Sequence, residues 1–68
     1  MRISILGGTG PEGRGLAVRL AIAGNAVCLG SRDESRAIDV AIDLSSSVGI
    51  HVIGLDNASA AKDGDVIF

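Results

Sequence analysis

The feature that most limits what this chain can fold into is a glycine-rich stretch placed directly after a short apolar run. Ile3, Ile5 and Leu6 belong to the run, and Gly-Gly-Thr-Gly-Pro-Glu-Gly follows at residues 7–13. Aliphatic residues in so short a run predict a buried strand. Glycine allows backbone conformations and close approaches that a Cβ atom would prevent. The pattern therefore predicts a strand, a tight turn and then a helix.

The spacing of the glycines indicates what the turn could bind. Gly8, Gly10 and Gly13 fit G-x-G-x-x-G at a strand-to-helix turn, which is typical of dinucleotide-binding domains. The unpaired amides at the helix N-terminus would hold a pyrophosphate, although a purely structural glycine turn is the alternative. A nucleoside triphosphatase phosphate loop is excluded, because Arg14 and Gly15 replace the required Lys and Ser or Thr.

The rest of the chain alternates strands and helices in the order βαβαβαβ. Strands are predicted at 2–6, 26–29, 50–53 and 65–68 and helices at 11–23, along the stripe Ala37, Ile38, Ala41 and Ile42, and after Asp56 and Asn57. Connections this short require parallel strands with right-handed crossovers. The predicted fold is therefore α/β, a Rossmann-like parallel sheet with helices on both faces.

The end of the second strand bears on the choice of cofactor. Domains that bind NAD usually have Asp or Glu here, whereas a 2′-phosphate needs a cation. Ser31 and Arg32 occupy this place, and Arg36 follows one helical turn later, which favours NADP(H). Two alternatives remain open, because Ser31 and Glu34 fit a capping box for the second helix and Asp33 could accept a ribose hydroxyl.

Composition excludes several other functions. A net charge of −2 argues against nucleic acid as a partner, and no apolar stretch is long enough for a membrane span. Cys28 is the only cysteine, so it cannot form an internal disulfide; we expect a buried thiol and a cytoplasmic protein. His51, the only histidine, is expected to be a structural residue at the start of a buried strand. No catalytic or metal-binding cluster is evident.

The length suggests part of a larger unit. A sheet of this type needs more strands and helices than 68 residues supply. We therefore expect residues 1–68 to be the N-terminal portion of a NAD(P)-binding Rossmann domain, truncated in strand four at Phe68. The full-length protein is expected to be a homo-oligomer.

The run GGTGPEGRGLAVRLAIAG, followed by VCLGSR, resembles a known family. It is similar to the N-terminal NADP-binding domain of the NADPH-dependent coenzyme F420 reductases, closely over residues 1–36 and by pattern alone beyond them. The resemblance implies pyrophosphate contacts from Gly7, Gly8, Thr9, Gly10, Pro11 and Glu12. It also implies that Ser31, Arg32 and Arg36 approach the 2′-phosphate.

The resemblance further implies hydride transfer between NADPH and coenzyme F420, with a protein that mainly positions the two small-molecule cofactors. Two other hypotheses remain at this point. One is an atypical short-chain NAD(P)-dependent reductase, which would carry a Tyr-x-x-x-Lys pair elsewhere. The other is a non-catalytic NAD(P)-sensing module that regulates a partner.

Overall fold

The computed structural model of the protein describes residues 1–68 and alternates four strands with three helices. The elements are β1 (Arg2–Ile5), α1 (Pro11–Ile22), β2 (Ala26–Ser31), α2 (Glu34–Val48), β3 (Val52–Asp56), α3 (Asn57–Asp63) and β4 (Val66–Ile67). None of the three helices combines the length and the apolar character that crossing a membrane requires.

All four strands are parallel, and their order in the sheet is β3-β2-β1-β4. The chain moves outward from β1 to β3 and then returns past β1 to β4. Right-handed crossovers consequently place α1 and α2 on one face of the sheet and α3 on the other. The predicted α/β class, the parallel strands and the helices on both faces are confirmed.

The hydrophobic core lies between the sheet and the pair α1 and α2. Its eight buried residues come from five elements, β1, α1, β2, α2 and β3: Ile5, Ala17, Val27, Leu29, Val40, Ala41, Leu44 and Val52. Strand residues two apart point to the same face, so alternate positions of β1, β2 and β3 supply the sheet side of this core.

The predicted apolar stripe of α2 is half wrong. Ala37 and Ala41 are buried, whereas Ile38 and Ile42 are 40% and 59% exposed. Val40 and Leu44 complete the buried face instead. Adjacent helix positions differ by about 100°, so a face centred on positions 37, 41 and 44 leaves 38 and 42 at its edge.

The second helix continues through the three serines at residues 45–47. Ser45 lies within α2, where its hydroxyl donates to the Val52 carbonyl and accepts from the Val52 amide, both at 3.2 Å. The helix ends at Gly49, which adopts φ +74°. This left-handed conformation is common for glycine after a helix.

The strand limits also differ from the prediction. β2 extends to Ser31 and β3 to Asp56, because these two residues pair in register at the ends of their strands. β4 is shorter than predicted, although the Phe68 amide still donates to the Ser4 carbonyl at 2.9 Å. His51 precedes β3 and is exposed, so the expected buried position for it is wrong.

Replacing Gly54 with alanine should destabilise the protein strongly. A Cβ atom there would lie 2.3 Å from the carbonyl carbon and oxygen of Ala37, which belong to the backbone of α2. We expect a loss of about 3 kcal/mol in the free energy of unfolding, at the upper end of the usual cost of overpacking. Urea unfolding measures this change.

The matched control for this prediction is Gly15→Ala. A Cβ at Gly15 meets only the Arg19 guanidinium, at 3.8 Å, and alanine favours a helix interior by about 0.5–1 kcal/mol. Equal stability of Gly54→Ala and the unmodified protein would contradict the close packing of α2 on β3.

Candidate dinucleotide-binding site

The glycine-rich turn lies at the carboxyl edge of the sheet, between β1 and α1. Gly7 adopts φ +64°, which is strained for residues with a side chain. The Gly8 amide donates to the Gly30 carbonyl at 3.0 Å, and the Leu6 amide donates to the Phe68 carbonyl at 2.9 Å. The turn is thus attached to the ends of both strands that flank β1.

The first turn of α1 presents unpaired amides at this edge. Gly10 is the N-cap residue and offers no side-chain cap, and Pro11 occupies the first helical position. The first backbone hydrogen bond of the helix runs from the Arg14 amide to the Gly10 carbonyl, at 3.0 Å. The amides of Glu12 and Gly13 therefore have no partner within the helix, and the helix dipole adds positive potential. An anion would satisfy these groups.

The three motif glycines have different surroundings. A Cβ on Gly10 would meet no atom within 4 Å, so the space before the helix is open to a ligand. A Cβ on Gly13 would lie 2.5 Å from the Gly8 carbonyl oxygen. The third glycine therefore permits α1 to pack on the turn itself, at Gly8.

Two arginines contact the turn at Thr9. The Arg14 Nε atom donates to the Thr9 carbonyl at 3.1 Å, and the Arg36 Nε atom donates to the Thr9 hydroxyl at 3.3 Å. Arg36 was predicted as a site residue, but sequence reasoning assigned no role to Arg14. The only available signal was a basic residue directly after the third glycine.

An open groove of about 440 Å³ lies beside these arginines. Its lining combines two guanidinium groups with three carboxylates, from Arg14, Asp33, Ser35, Arg36, Asp39, Val40 and Asp43. The carboxylates oppose the binding of a diphosphate there. The unpaired amides of α1 are better suited to that group than the groove is.

The capping-box alternative for Ser31 is wrong. α2 begins at Glu34, so Ser31 lies too early to cap it, and Asp33 is the N-cap residue. The Asp33 carboxylate accepts from the amides of Ser35 and Arg36, at 3.1 and 3.4 Å. The Ser31 hydroxyl oxygen accepts from the Asp33 amide at 3.1 Å.

These contacts leave a cation and a hydroxyl at the end of β2. Arg32 is exposed and makes no hydrogen bond or ion pair within the chain. The Ser31 hydroxyl, in a residue that is 7% exposed, has a proton still to donate. One oxygen of the Asp33 carboxylate accepts both α2 amides, and the Arg32 guanidinium beside it is suited to charge-assisted hydrogen bonds with an anion.

Asn57 is a further residue at this edge that sequence reasoning missed. Its Oδ1 atom accepts from the Gly7 amide at 3.1 Å, which connects the start of α3 to the turn. The sequence shows only an Asp-Asn pair after the third strand, and both residue types are common at the start of a helix without any role in a ligand site.

Cys28 takes the position expected for it. The side chain is buried in β2, and burial raises the pKa of its thiol, with a further contribution from the negative charge of Asp63. The neutral thiol is therefore favoured, and Cys28 is not an activated nucleophile.

A parallel sheet whose first strand leads through a G-x-G-x-x-G turn into a helix defines the class of Rossmann-type dinucleotide-binding domains. Within that class, residues 2–68 match the family described as NADP oxidoreductase, coenzyme F420-dependent. The chain belongs to this family. The match confirms the predicted resemblance and extends it beyond residue 36, where the sequence pattern alone was weaker.

Individual relatives are similar over nearly the whole chain. The F420-dependent NADP reductase of Methanothermobacter marburgensis is 44% identical over 69 residues, which is 97% of this chain and 31% of the relative. The protein of the same name from Methanocaldococcus jannaschii is 44% identical over 72 residues, which is 98% of this chain and 32% of the relative. The F420-dependent NADP reductase of Methanothermobacter thermautotrophicus is 41% identical over 70 residues, which is 98% of this chain and 30% of the relative. The chain thus spans about a third of their length.

We expect Gly10→Ala and Gly13→Ala to have opposite effects. The Gly10 change places a methyl group in open space, so it should weaken dinucleotide binding and leave the free energy of unfolding nearly unchanged. The Gly13 change overlaps the Gly8 backbone and should cost about 1–3 kcal/mol of stability. Urea unfolding and calorimetric titration with NADPH separate the two effects.

A purely structural turn would give a different result. The folded fraction of each variant would then bind NADPH as the unmodified protein does, and only Gly13→Ala would lose stability.

Proposed function

We propose that this chain is the NADP(H)-binding part of an oxidoreductase that transfers hydride between NADPH and coenzyme F420. The observation that carries the proposal is the pairing of open amides at the start of α1 with the free Arg32 cation at the end of β2. Relatives named F420-dependent NADP reductase support the second cofactor. The transfer is an activity proposed for the whole protein.

The turn would hold the diphosphate of NADP(H) mainly through backbone atoms. The proposed contact residues are Gly7, Gly8, Thr9, Gly10, Pro11, Glu12 and Gly13. Pro11 has no amide to donate, but its fixed φ suits the first helical position and so preorganises the amides that follow. The negative side chain of Glu12 is exposed and can turn away from the diphosphate.

The 2′-phosphate would lie against Ser31 and Arg32. The serine can donate its hydroxyl proton, and the arginine can form charge-assisted hydrogen bonds. Arg36 is close enough to the turn to bond Thr9, and its guanidinium could exchange that hydroxyl for a phosphate oxygen. These three assignments favour NADP(H) over NAD(H).

Bound NADPH would supply the hydride from its nicotinamide ring. The contribution of this chain is to fix the cofactor beside β1 and β4, where the sheet changes direction and ligands of open α/β sheets bind. The hydride carries both electrons, and the proton that the reduced deazaflavin takes up can come from solvent, so orientation is the principal demand on the protein.

We also propose that the protein works in the cytoplasm, because its single buried cysteine suits a reducing compartment. The position of residues 1–68 as the N-terminal portion of a larger NAD(P)-binding domain is a proposal supported by the greater length of the relatives. The homo-oligomeric state stays a prediction.

The proposed activity is tested by mixing the full-length protein with NADP(H) and coenzyme F420. We expect NADPH-dependent loss of the deazaflavin absorbance, and no comparable NADPH oxidation without coenzyme F420. Binding of NADPH without any transfer to coenzyme F420 would contradict the proposal and favour the sensing module. Oxidation of NADPH by a carbonyl substrate instead would favour a short-chain reductase.

Replacing Arg32 with alanine should weaken NADPH binding by about 1.5–3 kcal/mol, the range of a hydrogen bond to a charged group. NADH has no 2′-phosphate, so its affinity should hardly change. Calorimetric titration of the full-length protein with each cofactor measures both effects.

Arg19→Ala is the matched control, since Arg19 is an exposed cation in the last turn of α1, away from the site. It should leave both affinities unchanged. Equal losses of NADPH and NADH affinity in Arg32→Ala, or tighter binding of NADH by the unmodified protein, would exclude the assigned phosphate contact.

A further inference from the structure

Asn57 connects the third βα unit to the glycine-rich turn of the first. Its Oδ1 atom accepts from the Gly7 amide at 3.1 Å, across 50 positions of sequence. No other side chain accepts a hydrogen bond from a backbone amide of the turn at residues 6–10. Gly7 has φ +64°, a conformation that glycine leaves easily when nothing holds it.

Capping of α3 does not explain Asn57. The N-cap residue is Asp56, whose carboxylate accepts from the amide and the hydroxyl of Ser59, both at 2.8 Å. The hydrogen bond from the Ser59 amide lowers the pKa of Asp56 most, and the bond from the Ser59 hydroxyl lowers it further. The capping carboxylate is therefore charged at neutral pH. Asn57 comes one residue later, and its carbonyl oxygen is directed to the turn.

Gly30 leaves room for this contact. A Cβ atom on Gly30 would lie 2.8 Å from Asn57 Oδ1 and 3.0 Å from the Cβ of Ala60. The Gly30 carbonyl also accepts from the Gly8 amide. The first two residues of the turn are therefore fixed side by side, Gly7 by Asn57 and Gly8 by the backbone of β2.

We propose that Asn57 is a positioning residue for the diphosphate of the dinucleotide. It holds Gly7 in its left-handed conformation, and thereby keeps the amides at the start of α1 aimed at the ligand before the ligand binds. Because the turn is already ordered in the free protein, ligand binding does not lose free energy to ordering it. The inference rests on the proposed function, because it concerns the same cofactor site.

The diphosphate is common to NADPH and NADH, so a defect at Asn57 must affect both. In the full-length protein, Asn57→Ala should raise the Kd of both dinucleotides by the same factor, about three- to tenfold, as expected for one lost hydrogen bond. Adenosine 2′-monophosphate lacks the diphosphate, so its Kd should stay unchanged. This pattern differs from that of Arg32→Ala, which affects only ligands with a 2′-phosphate.

Ser59→Ala is the matched control. It removes the hydroxyl that bonds Asp56 and loosens α3, but it leaves the contact between Asn57 and Gly7 in place. Dinucleotide affinity should therefore be retained. An equal loss in Ser59→Ala, an unchanged Kd in Asn57→Ala, or a parallel loss of adenosine 2′-monophosphate would overturn the positioning role.

Asn57→Asp tests the inference if the alanine variant does not fold. The aspartate keeps an oxygen acceptor for Gly7 and adds a negative charge at the turn. Dinucleotide binding should fall, and should recover partly at high salt, because salt screens the repulsion. Because the acceptor for the Gly7 amide is kept, a loss of affinity that high salt does not reduce would overturn the positioning role. If the unmodified protein bound neither NADPH nor NADH, the proposed function itself would fail.

Discussion

The close contact between the start of α1 and the turn at Gly8 is the constraint on which the site depends. Gly13 lies against the Gly8 backbone so closely that no side chain could fit between them. The helix can therefore begin immediately after the turn, with its unpaired amides at the carboxyl edge of the sheet. The same edge receives the end of β2 and the start of α3, so residues from three βα units meet at one place.

Small residues allow similarly close packing between the helices and the sheet elsewhere in the fold. Each helix contacts the sheet through a completely buried alanine, namely Ala17 in α1, Ala37 in α2 and Ala60 in α3. Opposite the last two, Gly54 and Gly30 lack the Cβ atom that would collide with the helix. Short distances between layers follow, and they bring Asn57 and Arg36 within reach of a turn that is distant in sequence.

Local patterns in the sequence predicted the order of the elements, the parallel sheet and the glycine-rich turn. These features depend on neighbouring residues, such as Gly10 and Pro11 at the start of α1. The orientation of α2 was harder to predict, since Ile38 is as apolar as Val40 and only packing against the sheet distinguishes them. The N-cap of α2 is Asp33, two residues after the predicted Ser31, because this stretch contains several residues that could cap a helix.

Contacts between distant segments could not be read from the sequence. Asn57 and Gly7 are joined only because the crossover of α3 returns the chain past β1. Arg36 reaches the Thr9 hydroxyl from α2, across 27 positions of sequence. The cofactor-binding residues themselves remain predictions, supported by the unpaired amides and the free cation at the sheet edge.

The most direct test of this account is a crystal structure of the full-length protein with NADP⁺. The diphosphate oxygens should lie about 2.7–3.2 Å from the amide nitrogens of Glu12 and Gly13, the normal range of such hydrogen bonds. The 2′-phosphate should contact Ser31 and Arg32. A diphosphate bound in the groove between α1 and α2, or a ribose held by Asp33 with the phosphate turned away from Arg32, would contradict the account.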